Sequence, residues 1–245
     1  GLVTYRADMA STSDYAKMLA DQGAISGSIV ITDYQTAGRG RRENGWSCEP
    51  GEGLLFSLIL EPEVDRSTWG QFGLAVGVAI AEVLESYGLA AKIKWPNDIW
   101  VGGEKLAGIL VELKGEAEFG WKVVAGLGIN VLMTEEEGRG VSQPWTSLEK
   151  VASELSLGRS MWAATLIESL IETIERYRVA GLGCLLADWS KFDILQGEEV
   201  VLSVGGKSGL CHGIDQRGRL LINIDGKIEA VNAGEVSVRP NESSN

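Results

Sequence analysis

Apolar residues fall into two periods along this chain, and the switches between them mark its elements. From Thr68 to Tyr87, the residues Phe72, Val76, Ala79, Ile80, Val83 and Leu84 recur at helical spacing between Ser67 and Gly88. That predicts a long amphipathic helix capped by the serine and stopped by the glycine. A second helix is predicted from Ser160, with Ile167, Leu170, Ile171, Ile174 and Tyr177 on one face, and a short third through Leu185 and Trp189. Ser11 to Asp14 reads as a helix start, and Thr146-Ser147-Leu148-Glu149 as a capping box. Beta-branched and continuous apolar runs predict strands at 28–32, 53–60, 93–95, 99–101, 106–113 and 121–129. Gly102-Gly103 and Lys114-Gly115 supply turns between antiparallel neighbours. An acidic, glycine-bearing loop from Thr134 to Pro144 is the segment expected to move most.

From Glu198 the pattern changes to short strands, 200–204, 210–214, 220–224 and 228–231, separated by glycine turns. These read as a separate β-barrel of about 50 residues, a size that packs on a larger neighbour. The expected division is residues 1–195 and 196–245. The fold class is α+β, with a mixed, largely antiparallel sheet and helices followed by the small barrel.

Composition narrows the function classes. The chain has 245 residues, 44% hydrophobic and 23% charged, as in an ordinary globular protein. A formal charge of −12 opposes nonspecific nucleic-acid binding, so neither nucleic acid nor membrane is an expected partner. Three spaced cysteines and one histidine indicate neither a disulfide framework nor a metal cluster; reduced thiols in a cytoplasmic protein are the simplest account. The longest apolar run, Leu74 to Leu84, is too short to cross a bilayer.

Three stretches carry candidate chemistry. The first is Gln35-Thr36-Ala37-Gly38-Arg39-Gly40-Arg41-Arg42-Glu43-Asn44-Gly45-Trp46, which follows the strand at 28–32. Its glycines permit close backbone approach and its arginines offer fork-shaped donors, which suits a phosphate or carboxylate; a solvated basic turn is the bland alternative. The second is Lys94-Trp95-Pro96-Asn97-Asp98 with Lys105-Leu106-Ala107-Gly108. Pro96 interrupts the strand and presents Asn97 and Asp98 at a bend. If Gly102-Gly103 closes a hairpin, Asp98 and Lys105 lie on paired strands and can point into one cleft; otherwise they are a turn pair and a solvated lysine. The third, Ala125 to Asn130, reads either as a strand whose Gly126 and Gly128 admit a ligand against the backbone or as a tightly packed core strand. Neither Gly38-x-Gly40 nor Gly126-x-Gly128 leads into a helix as a dinucleotide fingerprint requires.

In this order, together with Ser11-Thr12, Gly213-Ile214-Asp215 and Gly234-Glu235-Val236-Ser237, these motifs resemble the biotin protein ligases over nearly the whole chain. The chain departs from that family at Ser13, where asparagine is common, and at Glu43-Asn44, where a glycine-arginine pair is usual. The resemblance implies a class II synthetase-like catalytic domain with a carboxyl-terminal SH3-like barrel. It implies ATP-dependent formation of biotinyl-5'-AMP and transfer of biotin to a lysine of a biotin carboxyl carrier protein. ATP with Mg2+ carried mainly on its phosphates would serve, without a metal site of the protein's own. By the same resemblance, Lys105, Arg39, Arg41 and Asp98 are the catalytic candidates. Ser11, Thr12, Gln35, Gly38, Arg39, Trp46, Lys105, Gly108, Gly126 and Gly128 would contact biotin. Arg39, Arg41, Arg42, Trp46, Asn97, Lys105 and Asn130 would contact ATP. The form expected is one without an amino-terminal DNA-binding domain, as a monomer or homodimer. The rival readings are a lipoate or octanoate ligase or transferase of related fold, and a non-catalytic biotin-binding regulator.

Overall fold

The computed structural model describes residues 1–41, 44–61, 63, 65–116, 120–141, 143–203, 206–233 and 238–240. A seven-stranded sheet runs in the order β1 (Val3–Met9), β2 (Ser28–Gln35), β3 (Gly53–Leu60), β7 (Gly120–Asn130), β6 (Glu104–Glu116), β5 (Asp98–Val101), β4 (Ala91–Lys94). Only β1 and β2 pair in parallel; every other neighbour is antiparallel. The sheet is mixed and largely antiparallel, as the sequence predicts. Gly102 and Gly103, at φ +61° and +83°, close the β5–β6 hairpin, a backbone region that favours glycine.

β3 is buried along its whole length, because helices cover both faces of the sheet where it runs. On one face, α1 (Thr12–Asp21) packs Ala16 and Ala20 on Met9, Val30, Ile59 and Val124. On the other lies α2 (Phe72–Ser86), apolar nearly all round because it is sandwiched between the sheet and α4 (Arg159–Ala180). The Phe72 and Tyr177 rings meet at 4.5 Å, and the Tyr177 hydroxyl donates to the Thr68 carbonyl. The same core continues through α5 (Leu186–Phe192) to Val200, Leu202, Cys211, Leu220 and Ile222 of a second sheet. That sheet is antiparallel, in the order β11 (Lys227–Val231), β10 (Leu220–Ile224), β9 (Ser208–Ile214), β8 (Glu199–Leu202), β12 (Val238–Pro240).

Several local expectations are corrected. β1 is an unexpected element: Val3, Tyr5, Ala7 and Met9 alternate with polar residues, but only Met9 is buried, and the strand is a largely exposed edge paired in parallel to β2. α2 begins at Phe72 after a 3-10 turn, Arg66–Gln71, and has no side-chain cap. The turn expected at Lys114-Gly115 does not form there, since Lys114 pairs with Lys122 and Gly115 with Trp121. The core side of α4 is Trp162, Ala163, Leu166, Leu170, Thr173 and Tyr177, whereas Ile171 faces outward at 53% exposure. The capping box is not made: α3 (Leu148–Ala152) starts after Ser147, whose hydroxyl donates to the Met133 carbonyl, and the Glu149 amide donates to the Val131 carbonyl.

Candidate functional site

β6 and β7 run side by side with Gly108 opposite Gly128, and Gly126 two residues further along β7. A Cβ on Gly108 would come within 3.0 Å of Trp46 Cζ3, and one on Gly128 would strike the Trp46 indole. The glycines therefore make a trench that seats Trp46 on one side. Gly126 serves a different neighbour, because a Cβ there would strike the Ser13 hydroxyl. Gly38 is tied to the same wall, its carbonyl accepting from the Trp46 amide at 3.0 Å.

One end of the trench is a buried hydroxyl cluster. Ser11 caps α1, accepting weakly from the Asp14 amide at 3.4 Å, which places Ser11, Thr12 and Ser13 together under β2 and β3. The Thr12 amide and hydroxyl both donate to Gln35 Oε1, at 2.7 and 3.1 Å. Ser57 Oγ donates to Thr12 Oγ1 at 2.9 Å and lies 3.2 Å from Ser13 Oγ. Ser57 was missed by sequence reasoning, although it is the one polar residue inside the apolar run of β3 and so carried a signal.

Beside this cluster Arg39 spans two carboxylates, Asp14 at 2.5 Å and Glu112 at 2.9 Å, and Lys17 reaches the same pair at 2.8 and 3.1 Å. Burial alone would raise the Asp14 carboxyl, but hydrogen bonds from Lys17 and Arg39 outweigh it and hold it below the usual carboxylate range. The hydrogen bond to Asp14 likewise raises the Arg39 guanidinium. Neither carboxylate was assigned to the site from sequence.

At the other end, Lys105 Nζ lies 2.9 Å from Asp98 Oδ1 with both side chains about four-fifths buried, so the hairpin does bring them into one cleft. Lys105 also sits 5.8 Å from the centre of the Trp46 ring. Asn97 is fixed by its neighbours, its amide nitrogen donating to the Ile109 carbonyl and its oxygen accepting from Arg41 at 3.2 Å. Arg41 further donates to the Ala233 carbonyl beyond β11, and the Trp95 indole to the Gly218 carbonyl, so this end is braced against the second sheet. Asn130 is buried and donates to the Thr146 carbonyl at 3.0 Å. Lys105 and Glu112 stand seven residues apart on β6, roughly 23 Å of strand. Arg42, Glu43 and the stretch Gly234 to Ser237 lie outside the described residues.

The mixed sheet with an antiparallel sheet appended is shared with a solved biotin protein ligase. The biotin protein ligase from Aquifex aeolicus in complex with biotin and ATP superposes with a TM-score of 0.83 at 25% identity, over 98% of this chain and 99% of that one. Residues 5–130 match the Biotin/lipoate A/B protein ligase family, and residues 197–239 match the Biotin protein ligase C terminal domain. The Bifunctional ligase/repressor BirA of Escherichia coli is 37% identical over 220 residues, covering 89% of this chain and 68% of that protein. The Biotin--[acetyl-CoA-carboxylase] ligase of Mycobacterium tuberculosis is 32% identical over 92% of this chain and 84% of its own length. The chain belongs to the biotin/lipoate A/B protein ligase family, among its biotin protein ligases.

Proposed function

We propose that this protein joins biotin to ATP as biotinyl-5'-adenylate and then transfers biotin to a lysine of a biotin carboxyl carrier protein. The observation that carries this reading is the Lys105–Asp98 pair at 2.9 Å, set in the trench beneath Trp46 and opposite the hydroxyl cluster. A neutral bicyclic urea suits the Ser11, Thr12, Gln35 pocket, which offers donors and acceptors without net charge, and Gly108, Gly126, Gly128 and Trp46 give its ring and tail an apolar wall. In the first step a biotin carboxylate oxygen attacks the α-phosphorus, the bond to the bridging oxygen breaks, and pyrophosphate leaves with the electron pair. Two anions must approach, so a preorganised cation is the chief requirement. Lys105 supplies it, with Arg39, Gly38, Arg41 and Arg42 of the loop on the carboxylate and phosphate and with Asn97 and Asn130 on the nucleotide.

As Lys105 turns to the ligand, Asp98 loses its cation and becomes free to accept a proton. A carrier lysine, with an ordinary pKa of about 10.4, is mostly charged at neutral pH and needs such a base. The amine then attacks the acyl carbon and AMP departs. Magnesium would neutralise the leaving phosphates. Residues 1–195 would hold this site, with 196–245 bracing its nucleotide end.

Mass spectrometry of a biotin carboxyl carrier domain after incubation with protein, biotin, ATP and magnesium tests the proposal. Biotin should appear on one carrier lysine and not on its Lys→Arg variant. A carrier left unmodified while adenylate accumulates would contradict the transfer step.

A further inference from the structure

Thr146 is fully buried, and its neighbours are the two ends of the proposed nucleotide contact. Its amide donates to the Lys105 carbonyl at 2.9 Å, and its carbonyl accepts from Asn130 Nδ2 at 3.0 Å. The preceding residues complete the brace, since the Lys105 amide donates to the Pro144 carbonyl and Lys105 pairs in parallel with Trp145. Every backbone group of Thr146 is thus satisfied. Its hydroxyl is not: Oγ1 is buried and has no hydrogen-bond partner among the described residues. The cap that sequence predicts for it is not formed, because the Glu149 amide goes to the Val131 carbonyl instead.

A buried hydroxyl without a partner is costly, and valine would fill the same volume without that cost. Orphan atoms of this kind also occur on two other residues that touch the site. Trp46 Nε1 belongs to the ring beside Lys105, and Glu112 Oε2 to the carboxylate that holds Arg39. We infer that the Thr146 hydroxyl is a further nucleotide-binding group, donating a hydrogen bond to a phosphate or ribose oxygen of ATP held between Lys105 and Asn130. This rests on the ligase reading above. The strap 144–146 then has two tasks, fixing the Lys105 backbone and completing the nucleotide contact.

The test compares Thr146→Val, which keeps shape and loses the hydroxyl, with Thr146→Ser, which keeps the hydroxyl and loses a methyl. Biotin-dependent pyrophosphate release is followed while ATP and biotin are varied separately, with thermal unfolding measured on each protein. The expected result for Thr146→Val is a KM for ATP raised about tenfold, the scale of one hydrogen bond to a charged group, with the KM for biotin unchanged and Tm equal or higher. Thr146→Ser should stay within about threefold of the parent for ATP and lose Tm, as removal of a buried methyl requires. Serine disturbing ATP more than valine, or valine leaving the KM for ATP unchanged, overturns the contact and leaves the ligase standing. Absence of pyrophosphate release from the parent protein would remove the ligase reading, and the contact with it.

Discussion

At the Ser13–Ser57 end of the trench, the polar side chains answer one another: Thr12 to Gln35, Ser57 to Thr12, Ser13 to Ser57. At the Lys105 end the charged groups cancel in a pair with Asp98, while the hydroxyl of Thr146 beside them stays unmatched. A neutral network fixed by its own hydrogen bonds is suited to a neutral ligand whose shape matters most. Ions held in cancelling pairs can be re-aimed at a ligand's charge with little desolvation cost, because they are already largely withdrawn from water. Under the proposed function, recognition and chemistry are separated along the trench.

The largest effect should come from Lys105→Ala, which removes the charge from the second end alone. Adenylate formation should fall by about 10²-fold or more, the scale of losing one preorganised group, with biotin binding weakened far less. Titration of biotin and single-turnover adenylation would separate the two, and near-normal turnover would refute the role of Lys105. Arg39→Ala sits between the ends. It should weaken retention of the adenylate about tenfold more than that of biotin alone, the scale of one charge-assisted contact, as dissociation rates would show. Equal losses would make Arg39 a structural partner of Asp14 and Glu112.

Gly126→Ala attacks the first end only. Its Cβ would displace the Ser13 hydroxyl, so the KM for biotin should rise by about tenfold, one lost hydrogen bond's worth or more, with the KM for ATP unaffected. A matching rise for ATP would erase the distinction between the ends. Asp193→Asn touches neither end and should change neither KM. Burial raises the Asp193 carboxyl although the Leu195 amide and the Trp189 indole donate to it. Its native pKa therefore exceeds the unfolded one, and that part of stability is present below the unfolded value and lost as pH rises through the native one. The variant should lose about 1–2 kcal/mol at neutral pH through the unpaired Trp189 indole and show a flatter acid limb in pH-dependent unfolding. An unchanged limb would assign that titration elsewhere.

The sequence made the second end more legible than the first. Gly102-Gly103 allows little but a hairpin, and the hairpin sets Lys105 on Asp98. Ser57, Asp14 and Glu112 were missed because strands β3 and β6 and helix α1 meet only through tertiary packing, which local periodicity does not encode. The edge strand β1 does alternate, Val3, Tyr5, Ala7 and Met9 against polar residues, but it runs only seven residues and buries only Met9, so its place beside β2 rests on tertiary pairing. The capping box at Thr146 failed for a related reason: the Glu149 amide found a carbonyl on β7's exit, at Val131, that no local rule could weigh.

Pyrophosphate release with biotin, ATP and magnesium, run beside lipoate and with the product identified by mass spectrometry, tests the central claim most directly. The account predicts release and biotinyl-5'-adenylate with biotin and none above background with lipoate. Equal release with both acids, or biotin bound without any release, would contradict it.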